Sequence, residues 1–170
     1  MPTPTALKVA PTENGCVIRI EGRGTMKESP AASGLANRTL AGDSTAVVVI
    51  DLSECTYLDS TFLGCITGLY GRYGHGSSRR FLVAGSAEKR KALLGTVKID
   101  SLIPSIDVAP ATRGPWVTVP IDPVDQRDLS RHVMECHRVL AQADSPMSGA
   151  FAKIADQLER ELAQGSLAIR

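Results

Sequence analysis

The chain has 170 residues, of which 43% are hydrophobic and 22% charged, and a net charge of +1. That is enough to bury the core of a single domain. The near-neutral balance gives no electrostatic basis for binding nucleic acid or an anionic membrane. No apolar run approaches the ~20 residues that span a bilayer, and "MPTPTALKVAPTENG" lacks a charged stretch leading into an apolar one. Neither membrane insertion nor a secretory leader is therefore expected. Cys16, Cys55, Cys65 and Cys136 form no Cys-x-x-Cys pair. They read as small apolar residues with reduced thiols, and the expected location is the cytoplasm.

In chain order, Leu7 to Val9 and Cys16 to Ile20 read as two strands, and "APTENG" between them has hairpin-turn residues. "EGRGTMKESP" reads as a loop. Ser29 before Pro30 fits an N-cap followed by the first helical position, and the weak helix that follows stops near Gly42. Val47 to Leu52 is a nearly continuous β-branched run, which marks a strand covered on both faces. Phe62, Ile66, Leu69 and Tyr73 predict a helix over 61–73, broken by "GHGSS". Phe81 to Ala84 reads as a short strand. "SAEKRKALLG" reads as a helix capped by Ser86, and a weak strand falls around Ile106 to Val108.

"APATRGP" is a linker by composition, and "WVTVPI" an extended clasp laid against the domain. Leu129, Val133, Cys136 and Leu140 then recur at helical spacing, as do Met147, Phe151, Ile154, Leu158 and Leu162. Ser145 and Pro146 are placed to start the second of these helices. The predicted organisation is an α/β domain over 1–112, a linker and extended segment over 113–124, and a C-terminal helical hairpin over 125–170. Its mixed β-sheet carries helices mainly on one face, with right-handed crossovers between parallel strands. The hairpin is expected to dock on its own domain with Trp116 and Val117 as the clasp, leaving the Ser60 end free. Its apolar stripes also leave a homodimer open.

Most chemical motifs are absent. Gly22-Arg23-Gly24 lacks the third glycine of a dinucleotide fingerprint, there is no Walker sequence, and Ser60 is not in Gly-x-Ser-x-Gly. His132 and Cys136 lie four apart, which supplies only two metal ligands and fits helix packing better. No carboxylate pair, no nucleophile with its base and no metal cluster is readable. An enzyme, a cofactor and a metal are therefore not expected. The basic groups Arg79-Arg80 and Lys89-Arg90-Lys91 read as solvated faces. What stands out is Asp59-Ser60-Thr61, an acid and two hydroxyls at a strand-to-helix joint. Helix capping alone explains such residues at many helix starts.

The whole segment "VVVIDLSECTYLDSTFLGCI" resembles the sulfate transporter and anti-sigma factor antagonist (STAS) domain. Val48 to Leu52 supply its buried strand, Asp51-Leu52 and Leu58-Asp59-Ser60 its joint, and Leu63-Gly64 the start of its helix. The order of elements from Leu7 to Ala111, with "RIEGRGT" ending the second strand, is similar too. The resemblance implies a bacterial antagonist in a partner-switching pathway. Its partners would be an anti-sigma factor that is also a serine kinase and a PP2C-type phosphatase. It implies Ser60 as phosphoacceptor, and a partner-binding surface of Asp59, Ser60, Thr61, Phe62 and Gly64. The other reading it leaves is a non-switching STAS subunit of a lipid-transport ATP-binding cassette complex. Phe62 stands where the family carries a small residue, so a large ring is expected to narrow the choice of partner. The hairpin lies outside the family's minimal domain.

Overall fold

The computed structural model describes residues 3–165; residues 166–170 of the predicted hairpin segment lie outside them. The chain opens with β1 (Ala6–Thr12) and β2 (Gly15–Gly24), an antiparallel hairpin in which Thr12 faces Gly15 across a Glu13-Asn14 turn. Helix α1 (Ser29–Gly42) follows, then β3 (Val47–Asp51) and β4 (Cys55–Leu58). Helix α2 (Ser60–Leu69) runs into a π-helical turn, Tyr70–Gly74. Next come β5 (Phe81–Ala84), α3 (Ala87–Leu94), β6 (Ser105–Ile106) and β7 (Val117–Thr118). The chain closes with α4 (Gln126–Ala141) and α5 (Ser148–Ala163).

The sheet order is β6-β5-β3-β2-β1-β7. The β2–β3, β3–β5 and β5–β6 pairs are parallel, whereas β1 pairs antiparallel with both β2 and β7. The mixed sheet expected from the sequence is therefore present. Strand β2 runs further than the predicted Ile20, because its far end leaves β3 and pairs in parallel with β4. The register shifts between Gly22 and Arg23, and Gly22 takes a φ of 72°, a left-handed conformation that glycine adopts without penalty.

Side chains alternate across the sheet with period two. Cys16, Ile18 and Ile20 join Val48, Ile50 and Phe81 in one large apolar cluster, together with Leu40 of α1, Phe62 and Ile66 of α2, and Leu94 of α3. Val17, Val49 and Ala84 face the other way and form a smaller cluster, with Ala109 and Trp116 packed against it. On that second face Arg19 and Asp51 are cross-strand partners: Arg19 Nε donates to Asp51 Oδ2 at 2.8 Å and the guanidinium lies 4.0 Å over the Trp116 ring. The helices thus sit mainly on one face. The extended segment closes the other, through the Trp116 stack and the β7 pairing to Lys8 and Val9.

The hairpin packs on the same side as the other helices. Cys136 and Leu140 of α4 and Phe151 of α5 belong to the main core cluster. Its second helix starts later than Ser145-Pro146 predicts: Met147 occupies the cap position without a side-chain hydrogen bond, and Ser145 Oγ accepts from Met147 N–H within the preceding turn. The α5 stripe is also shifted. Phe151, Ala155, Leu158 and Leu162 are buried, whereas Met147 and Ile154 are exposed. Ala155, absent from the predicted stripe, is fully buried on that face. At the N-terminus of α1, Glu28 holds the cap position in place of Ser29; its carboxylate accepts from Thr25 N–H and Oγ1–H, and Ser29 is the first helical residue.

Candidate functional site

The site is built where β4 turns into α2. Asp59 is extended and caps the helix. Its Oδ1 accepts from Phe62 N–H at 2.8 Å and its Oδ2 from Met26 N–H at 2.7 Å, so one carboxylate holds the helix start and the loop after β2. The capping role belongs to Asp59, which leaves Ser60 as the first helical residue with its hydroxyl free of that duty. The first intrahelical bond runs from Leu63 N–H to Asp59 C=O. The N–H groups of Ser60 and Thr61 precede it and point along the axis toward the helix end.

The Ser60 hydroxyl lies 2.9 Å from Nε2 of His137 on α4. The other ring nitrogen, Nδ1, is 2.8 Å from the Val133 carbonyl oxygen. A carbonyl only accepts, so Nδ1 carries a proton; in the neutral ring Nε2 is then the acceptor, and Ser60 Oγ–H donates to it. The Phe151 ring packs against the imidazole in a T-shaped arrangement, with ring centroids 5.7 Å apart and planes at 66°. His137 is buried and Ser60 half-buried. Beside them an open cleft of about 650 Å³ lies between the α2 start and the hairpin, with Met26, Asp59, Ser60 and Lys153 among its lining residues.

A second serine–histidine pair stands on the same helix. His132 Nε2 lies 2.6 Å from Oγ of Ser29, the first residue of α1, and 3.6 Å from Cys136 Sγ. Helix α4 therefore bridges the starts of α1 and α2. Ser29 is fully buried, and burial depresses the pKa of His132, with Asp59 opposing in part. His132 and Cys136 are joined by this packing, and no group of three or more potential metal ligands occurs among the described residues.

The structure separates the five residues expected at a partner surface. Asp59, Ser60 and Thr61 line the cleft, although Thr61 is only 3% exposed. Phe62 is fully buried in the main core cluster beneath α2, so its ring cannot select a partner by direct contact in this arrangement. Gly64 lies under α4: a Cβ there would stand 2.3 Å from the Cys136 carbonyl oxygen. The expectation that the hairpin leaves the Ser60 end free is corrected. The absence of a side chain at Gly64 lets α4 settle directly onto α2, and this brings His137 to Ser60.

His137 is the residue that sequence reasoning missed. It lies 77 positions from Ser60, beside the stripe Leu129-Val133-Cys136-Leu140. The signal lay in a neighbouring stripe, Ser130, Val133, His137 and Leu140, all four buried. Polar residues at helical spacing on a buried face need partners on the element they cover.

Among solved structures, the chain is similar to the crystal structure of an anti-sigma factor antagonist from Mycobacterium paratuberculosis. The two are 22% identical, the match covers 60% of this chain and 85% of that one, and the TM-score is 0.49. No protein-family model and no curated protein matches the chain. No helix among the described residues is long and apolar enough to cross a membrane.

Proposed function

We propose that the chain is a regulatory protein-binding module of the anti-sigma factor antagonist type, gated by reversible phosphorylation of Ser60. The observation that carries this reading is the position of the Ser60 hydroxyl. It opens α2 directly after a capping aspartate and lines an open cleft. A phosphate there would add a charge of about −1.5 to −2 at a helix N-terminus, where N–H groups and the dipole favour an anion. The fold therefore accommodates the modification. A protein docked over the same spot faces new charge and must strip water from the phosphate oxygens. A loss of about 3 kcal/mol would weaken binding on the order of 10²-fold.

With the hairpin docked, the surface offered to a partner is Asp59 and Ser60 with the far wall of the cleft, where Ile154 is 41% exposed beside Lys153 and Gln157. The partner is an anti-sigma factor with serine-kinase activity, and a PP2C-type phosphatase restores the free hydroxyl. The Ser60–His137 bond favours one other reading, in which that hydroxyl only holds the hairpin, as in a non-switching subunit of a lipid-transport complex.

Three forms of the protein separate the two: unmodified, Ser60→Ala, and phosphoserine installed at position 60. Each serves as bait in extract of the native cell, followed by titration of the protein retained. The switching reading expects a serine kinase retained by the first two forms and bound at least tenfold more weakly by the third. Equal affinity for all three, or retention of a permease and an ATPase only, contradicts it.

A further inference from the structure

The Ser60–His137 pair does more than close a helix interface. We infer that His137 is a general base built into the chain, which makes Ser60 a nucleophile toward phosphoryl and phosphonyl electrophiles. The inference rests on the preceding reading only for its physiological electrophile, a nucleoside triphosphate held by the partner kinase.

Three features carry it. The nucleophile and base are in hydrogen-bond contact at 2.9 Å, within the range that proton transfer requires. The base is itself oriented, because Nδ1–H is committed to the Val133 carbonyl at 2.8 Å and the ring rests on Phe151. That commitment fixes the tautomer with Nε2 free to accept, which is the arrangement an activated serine needs. Third, the pair meets an open cleft, so an electrophile can reach the oxygen.

The molecule supplies its own control. Ser29 and His132 have a similar hydroxyl-to-imidazole contact, at 2.6 Å, yet Ser29 is fully buried and no electrophile reaches it. The same chemistry is packing at one helix start and reactivity at the other, and access to the cleft makes the difference.

In the phosphoryl transfer, Ser60 Oγ forms a bond to the γ-phosphorus as the bond from that phosphorus to the β,γ-bridging oxygen breaks. The nucleoside diphosphate leaves, and the Ser60 proton passes to His137 Nε2. The imidazolium then holds protons on both nitrogens and can donate to a phosphate oxygen before losing its extra proton to water. The charged groups that line the cleft are Asp59 at the helix cap and Lys153 and Glu161 from α5.

A fluorophosphonate probe tests the pair in the full chain without any kinase. Ser60 Oγ displaces fluoride from phosphorus, fluoride leaves, and the proton passes again to His137. We expect Ser60 to be labelled and Ser29 not, by peptide mapping, with His137→Gln slowing the labelling about 10²-fold. The native labelling should also carry a solvent deuterium isotope effect, because the Ser60 proton moves to Nε2 in that step, and a packing role would not produce one. An unreactive Ser60, or one labelled equally fast in His137→Gln, overturns the inference. If His137→Gln loses cooperative unfolding, the isotope effect on the native protein decides, and its absence overturns the inference. Labelling that depends on His137 in a protein whose Ser60 is never phosphorylated in its cell upholds the pair and sinks only the kinase reading.

Discussion

Adding one carbon to Gly64 should cost stability, whereas adding it to Gly68, one turn along the same helix, should not. An ideal Cβ on Gly64 would stand 2.3 Å from the Cys136 carbonyl oxygen, 2.6 Å from its carbon and 2.7 Å from the Cys136 Cβ. The first two are backbone atoms and cannot swing aside. Carbon and oxygen normally approach to roughly 3.3 Å, so α4 must retreat by about 1 Å. A gap of that size forfeits a quarter to a half of the dispersion energy across the contact, and such overpacking costs about 1–3 kcal/mol. At Gly68 the nearest atom to an added Cβ is Val139 Cγ2 at 3.8 Å, an ordinary contact. Both substitutions gain ~0.8–1.0 kcal/mol of helix propensity, which cancels when the two are compared. Gly68→Ala should therefore exceed Gly64→Ala by about 1–3 kcal/mol in urea unfolding, and hydrogen exchange should quicken along α4 in Gly64→Ala alone. Equal midpoints would show that α4 does not rest on α2 as described.

Three further outcomes follow from buried polar groups. Ser130 is fully buried and its hydroxyl has no partner among the described residues, so Ser130→Ala should raise stability by about 1 kcal/mol, read as a higher midpoint at unchanged m-value. Burial lowers the pKa of His132 in the folded state below its ordinary value of 6.5. The folded protein thus resists that proton. Its stability is full above about pH 6.5 and declines as the pH falls below it, and urea midpoints at pH 7.5 and 5.5 should show a drop that shrinks in His132→Gln. Burial pushes the Cys65 thiol up to about 11 and raises those of Cys16, Cys55 and Cys136, so iodoacetamide at pH 8 should alkylate the native protein far more slowly than the urea-unfolded chain.

Local rules read some elements well and long-range packing others poorly. Phe81 to Ala84 is a strand with the predicted bounds, and Ser86 caps α3 by accepting from Lys89 N–H, because both depend on residues within a few positions. The Val47 run is legible for the same reason: four consecutive β-branched residues, Val47 to Ile50, have to be covered on both faces. The continuation of β2 to Gly24 is not legible from local pattern, which ends the strand at Ile20; only the resemblance puts "RIEGRGT" at the strand end, where β4 comes alongside. Thr61 to Tyr73 has one helical period throughout, yet the backbone widens at Tyr70 into a π turn that the apolar spacing does not encode. At the site, the Asp59-Ser60 joint was visible as a motif, while its partner was not. A histidine on an amphipathic helix has no sequence signature for the hydroxyl it meets. What sets the meeting is a glycine: Gly64, which the resemblance places at a partner surface, lies under α4 and admits it onto α2.

The most direct test of the proposed role is where phosphate is found on the protein isolated from its own cells. Ser60 is half-buried at the cleft, and Thr61, its hydroxyl neighbour, is 3% exposed. A phosphopeptide with the modification on Ser60 and none on Thr61 is expected, and that species should disappear in a Ser60→Ala strain. Phosphate on Thr61 or elsewhere, with Ser60 unmodified under conditions that activate the pathway, would contradict it.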